Sequence, residues 1–94
     1  VEILAIEHDG PSPAAGTREL LRAEAARVHE LEQAGVVRRV WFRADRDAAV
    51  LLLEAPTLAD AEAVVATLPL VRAGVIELEL VGLRPYPGLS RLFG

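Results

Sequence analysis

The most regular stretch of the chain is residues 75–81, where apolar and acidic residues alternate from Ile76 to Leu80 between two valines. Ile76, Leu78 and Leu80 fall on one side of an extended backbone. Val75, Glu77, Glu79 and Val81 fall on the other. That period of two predicts a half-buried strand. Residues 1–7 are mostly apolar and predict another strand, with Ile3, Ala5 and Glu7 on one face. Residues 36–44 are β-branched and aromatic and predict a third. Residues 48–54 hold the unbroken run Val50-Leu51-Leu52-Leu53, expected of a central strand covered on both faces.

Between the strands the period changes to that of a helix. Thr17 is a candidate N-cap, residues 18–34 follow a helical pattern, and Gly35 supplies the expected stop. Thr57-Leu58-Ala59-Asp60 opens a second helix with a capping-box-like pattern. Leu58, Ala61, Val65 and Leu68 recur at helical spacing, and Pro69 is expected to close that helix. Residues 83–94 carry two Pro and two Gly and are expected to form an extended C-terminal tail. The order β-α-β-β-α-β within one domain, residues 1–94, predicts an α+β, ferredoxin-like fold. Its four-stranded antiparallel sheet would carry both helices on one face and leave the other uncovered.

Composition narrows the class. With 94 residues there is room for one core. The hydrophobic fraction of 52% excludes intrinsic disorder. No apolar run reaches the ~18 residues of a membrane span, so no membrane partner is expected. There is no Cys, hence no thiolate nucleophile or Cys-type zinc site, and His8 and His29 form no metal-ligand motif. A net charge of −4 disfavours a nucleic-acid partner. All ten basic residues are Arg, which excludes Schiff-base chemistry on a Lys. With no signal peptide pattern, the cytoplasm is the expected location. The chain is nonetheless apolar for its size, so part of that surface is expected to meet a partner.

Two features carry candidate chemistry. In the second strand Val40, Phe42 and Ala44 alternate with Val37, Arg39, Trp41 and Arg43. The second set would share the uncovered face with Glu77 and Glu79. An indole beside two guanidiniums suits a pocket for an anionic, partly apolar ligand; a polar outer face with one aromatic is the alternative. In the first helix Leu20, Leu21, Val28 and Leu31 define an apolar stripe, and Glu24 falls at its centre. A carboxylate there is either a general base or acid, or a structural partner of an Arg. His8 ends the first strand and could shuttle a proton. Arg84 precedes the stiff Pro85-Tyr86-Pro87 segment and could reach a pocket of its own subunit or a neighbour's.

These residues resemble the muconolactone delta-isomerase family of the dimeric α/β-barrel group. One matching block runs from Leu31 through Gly35, Arg38, Trp41 and Ala44 to Glu54. The other is Leu68-Pro69-Leu70, then Glu77-Leu78-Glu79-Leu80, Leu83 and Pro87. Glu24 falls where the family tends to have Glu. The sequence departs from the family at Ala25, where a basic residue is usual, at Arg39, where His is common, and in the tail Arg84-Pro85-Tyr86-Pro87. The resemblance implies a dimeric α/β barrel built by two chains packing sheet to sheet. It implies cofactor-free isomerisation of a small carboxylated lactone in aromatic catabolism, with no metal. Glu24 and Glu7 would be the catalytic carboxylates. Arg39, Trp41, Arg84 and Glu79 would bind the anionic substrate.

Two alternatives remain open at the level of sequence. One is a cofactor-independent monooxygenase on the same barrel. The other is a non-catalytic ligand-binding or assembly module. In each case a homodimer or higher homo-oligomer is expected. Val37, Trp41, Val75, Val81, Leu89, Leu92 and Phe93 are the apolar residues left outside the predicted core.

Overall fold

The computed structural model describes all 94 residues. Strand β1 spans Glu2–Asp9, helix α1 Arg18–Gln33, β2 Val37–Phe42, β3 Ala49–Glu54, helix α2 Leu58–Val65, a one-turn helix α3 Pro69–Arg72, and β4 Ile76–Gly82. Short 3₁₀ turns occupy Pro13–Ala15 and Pro87–Phe93. The sheet order is β2-β3-β1-β4, with every adjacent pair antiparallel. This is the ferredoxin-like arrangement expected from the element order. Helix α1 packs against α3 and β2, and α2 and α3 pack against β4.

Local chemistry sets the helix ends. The Thr17 hydroxyl accepts the Leu20 N–H at 3.1 Å, and the Thr57 hydroxyl accepts the Asp60 N–H at 3.1 Å. Both satisfy first-turn donors that have no partner within the helix. At the end of α1, Gly35 takes φ +77°. There the Val36 N–H reaches Leu31 O and the Gly35 N–H reaches Glu32 O, the double bond of a Schellman turn. Gly74, at φ +74°, repeats it after α3, with Val75 N–H on Leu70 O and Gly74 N–H on Val71 O.

That second turn corrects the expectation for Pro69. The proline does not close α2, which already ends at Val65. It opens α3, because its fixed φ suits the first helical position and its missing N–H costs nothing there.

The core lies between the layers. Ile3 and Ala5 of β1, Leu51 and Leu53 of β3, and Val37 of β2 meet Leu31, Ala61, Val65 and Leu68 from the helices and the loop after α2. Strand alternation places Val37 on the uncovered face, but it is buried. The reason is a β-bulge. Val37 pairs with Leu53, yet Arg39 pairs with Leu52, so one extra residue flips the alternation between them. Val75, also expected outside the core, is another exception. It precedes β4 and is buried with Leu70 and Ile76 in a smaller cluster that includes Leu20.

Two further differences concern the surface. Leu21 is 54% exposed, because α1 turns its Leu20 side towards that smaller cluster. The tail is not wholly extended, since residues 87–93 coil into 3₁₀ turns with Ser90 Oγ donating to Pro87 O at 2.8 Å. Its Leu89, Leu92 and Phe93 are exposed, and the chain is elongated, 55 × 29 × 20 Å.

The chain leaving β1 crosses the Gly74 turn at close range. Gly10 N–H donates to Val75 O at 3.0 Å and Ser12 N–H to Gly74 O at 2.8 Å. A Cβ on Gly10 would collide with the backbone oxygen of Gly74. Gly10→Ala is therefore expected to destabilise the fold by about 1–3 kcal/mol through a forced backbone shift. Urea unfolding of the two proteins checks this.

Candidate functional site

Helix α1 presents Leu20, Glu24, Val28 and Leu31 to the sheet, a run with the spacing of one helical face. Leu31 is buried, and Leu20, Glu24 and Val28 are half-buried. Glu24 therefore sits within the apolar stripe, as the spacing predicts. Its Oε1 accepts the Leu70 N–H at 3.0 Å. That N–H belongs to the first turn of α3, whose preceding residue, Leu68, has no side chain able to cap it. Glu24 thus ties α1 to α3. Burial pushes its pKa up from the usual 4.5, and this outweighs the Leu70 hydrogen bond, which lowers it; the nearby charge of Glu7 pushes it up further.

Glu7 enters the same interlayer space from the sheet. It shares the helix-facing side of β1 with Ile3 and Ala5 and is half-buried. Its Oε1 accepts the Ala49 N–H at 3.0 Å, so the carboxylate continues the β1–β3 ladder beyond its last backbone pair, Ile6 with Val50. The two carboxylates are built alike. Each spends one oxygen on a backbone N–H, and the second oxygen has no protein partner. No buried side-chain oxygen or nitrogen lacks a partner, so both second oxygens are open to solvent. A carboxylate whose orientation is fixed through one oxygen can exchange a proton through the other.

The uncovered face of the sheet carries the remaining candidates. Strand register places Trp41, Val50, Ile6 and Glu79 in one row across it, and Arg39, Leu52, Leu4 and Val81 in the next. The Arg39 guanidinium carbon lies 5.1 Å from the Trp41 ring centroid, within cation–π range. At the other edge His8 Nε2 is 2.8 Å from Glu79 Oε1, and Glu77 is the direct partner of His8 in the ladder. Arg84 lies in the exposed tail after β4. Within the chain the sheet therefore separates two groups. Glu24 and Glu7 both lie on its helix side, near enough for the charge of Glu7 to act on Glu24. Arg39, Trp41 and Glu79 stand on the other, and Arg39 does not share a cavity with Glu24.

Two surface hollows flank the helix layer. One, of about 300 Å³, is lined by Glu62, Val65, Ala66, Val71, Leu78 and Leu80. The other, of about 410 Å³, is lined by Leu20, Pro69, Arg72 and Ala73. The second adjoins the contact between Glu24 and Leu70. Sequence reasoning passed over Arg72. Pro69 followed at helical distance by Gly74 could have exposed it, because Pro at a helix start and Gly just past its end together delimit a short helix. No three His, Asp or Glu side chains cluster in a way that could hold a metal ion. No helix is long and apolar enough to cross a membrane.

Comparison with known proteins gives a consistent picture. The sequence model of the muconolactone delta-isomerase family matches residues 4–88. The fold is similar to a crystal structure of muconolactone isomerase, with a TM-score of 0.74 at 19% identity, covering 93% of this chain and 92% of that one. It is also similar to 5-chloro-2-hydroxyhydroquinone dehydrochlorinase from Burkholderia phenoliruptrix AC1100, in complex with 2,5-dihydroxybenzoquinone. That TM-score is 0.63 at 17% identity, covering 92% of this chain and 96% of that one. No curated protein matches the sequence.

Proposed function

The chain belongs to the muconolactone delta-isomerase family, and we propose that it catalyses a cofactor-free proton shift on a small carboxylated lactone, with Glu24 as the proton-transfer group. The observation that carries this reading is the Glu24 carboxylate itself. It is half-buried, held at one oxygen by the Leu70 N–H, free at the other, and less acidic than an ordinary Glu. A raised pKa brings a carboxylate nearer the range where it can both take and return a proton at neutral pH.

In muconolactone the reacting C–H is conjugated to the ring carbonyl. Glu24 removes that proton, and the electron pair moves through the ring onto the carbonyl oxygen, giving an enolate. Return of the proton to the carbon next to the carbonyl moves the double bond within the ring. No atom is gained or lost, and no oxidant is needed. The charge of Glu7 adds a smaller push in the same direction as burial, towards a less acidic Glu24. The test is proton exchange. Incubated with muconolactone in deuterated water, the protein is expected to incorporate deuterium into the lactone and to form the enol-lactone. Absence of both above the protein-free rate would overturn the reading.

The uncovered sheet face supports a second part of the proposal, a homodimer. Leu4, Ile6, Val50, Leu52 and Val81 form a contiguous apolar surface there, with Trp41 beside them and charged Arg39 and Glu79 at its edges. An apolar centre with a polar rim is the anatomy of a protein interface. A second copy of the chain presenting the same face would cover it. Sedimentation at micromolar concentration is expected to show a dimer or larger species, and Leu52→Arg is expected to dissociate it. A stable wild-type monomer would contradict this.

A further inference from the structure

A lactone bearing a carboxylate needs a cation within reach of the proton-transfer group. The arginines nominated from sequence do not supply one within the chain, because Arg39 lies across the sheet against Trp41 and Arg84 lies in the exposed tail. Two others are engaged elsewhere. Arg27 donates to Thr67 and Glu30, and Arg43 is paired with Asp45.

Arg72 is different. It makes no side-chain hydrogen bond or ion pair, and it lines the hollow of about 410 Å³ between α1 and α3 with Leu20, Pro69 and Ala73. The same two helices meet at the Glu24 carboxylate, whose Oε1 is held by the N–H of Leu70, the residue after Pro69. Leu20 lies one turn before Glu24 on the same face of α1, about 6 Å along the helix axis. That spacing fits a small ring with a short carboxylate arm, its reacting carbon at Glu24 and its anion in the hollow. The other walls are apolar. Arg72 is itself exposed, so its guanidinium is open to an incoming anion.

We propose that this hollow is the subsite for the substrate's carboxylate and that Arg72 is the residue that binds it. The inference rests on the assignment of Glu24 as the proton-transfer group, and it deepens that assignment by fixing which end of the substrate lies where. Arg72 is then a specificity-determining residue. It selects carboxylated lactones over neutral ones and takes no part in proton transfer.

The test uses muconolactone and its neutral methyl ester as probes, with binding measured by calorimetry and turnover by proton exchange. Arg72→Gln is expected to weaken binding of the acid, and to raise its KM, by roughly 10- to 100-fold, the usual effect of losing a charge-assisted hydrogen bond. Its kcat is expected to stay near the wild-type value. Binding of the ester is expected to be the same in both proteins, and Arg72→Lys is expected to restore part of the affinity for the acid. Equal binding of the acid by the wild type and Arg72→Gln would overturn the proposal, as would equal losses for acid and ester. So would failure of the wild type to bind the acid. Binding of the acid without turnover, still weakened by Arg72→Gln, would uphold the subsite while contradicting the isomerase reading.

Discussion

Replacing Glu24 with Gln is expected to lower lactone isomerisation by roughly 10²- to 10⁴-fold, the range that a positioned general acid–base group supplies. Glutamine keeps an oxygen that can accept the Leu70 N–H, so the tie between α1 and α3 is retained. What is lost is the ability to take a proton. The wild-type rate is expected to rise with pH along a limb centred above 4.5, since burial and the Glu7 charge both hold the Glu24 proton on. Steady-state rates of the two proteins across pH measure both effects.

The same titration has a signature in stability, and its sign follows from linkage. The folded state holds the Glu24 proton more tightly than the unfolded chain does. The stabilisation from this group is complete below the unfolded value of 4.5 and is lost as pH rises through the higher folded value. A glutamine side chain in its place does not titrate. The melting temperature of Glu24→Gln is therefore expected to gain on that of the wild type as pH rises from about 4 to about 8.

Truncating Leu53 to Ala is expected to cost about 2–5 kcal/mol. Leu53 is only 2% exposed, and Ile3 and Val37 are its ladder partners on either side. Domains of this kind have about 5–15 kcal/mol in total, so the loss is a large part of the whole. Urea unfolding should show a lower midpoint with an unchanged slope. The adjacent Leu52 points to the other face and gives a useful contrast. Leu52→Ala is expected to weaken self-association more than it weakens folding, because its side chain belongs to the uncovered surface rather than the core.

Much of the architecture was legible from residue order. Thr17, Thr57 and Gly35 mark helix ends through groups whose chemistry is local. The alternation in β4 and β1 assigned every side chain there to its observed face. Where the reading of faces failed, the cause was not local. The bulge after Val37 inserts one residue and reverses the face, and nothing in Val37-Arg38-Arg39 announces it. Val75 was misplaced because the period of two does not extend past Ile76, where the strand begins and the Gly74 turn ends.

The candidate site was legible only in part. Glu24 stood out because a carboxylate interrupts an apolar stripe, and Glu7 because it shares a face with buried Ile3 and Ala5. That the two lie near each other depends on how α1 lies on the sheet, which side-chain spacing within one element does not contain. That Arg39 lies across the sheet from Glu24 within one chain was hidden for the same reason. Strand alternation fixes the face of Arg39, but only the layer order shows that the sheet stands between them. Arg72 went unnoticed because α3 is one turn long, too short for a periodic signal.

The central claim is that the chemistry occurs between the helix layer and the sheet. Amide NMR of the labelled protein titrated with muconolactone tests it most directly, because the Leu70 and Ala49 N–H groups are the ones bound to Glu24 and Glu7. The account predicts that these two amides shift together and that the Leu70 shift is altered in Glu24→Gln. Shifts confined to Arg39, Trp41 and Glu79, with Leu70 and Ala49 unmoved, would contradict it.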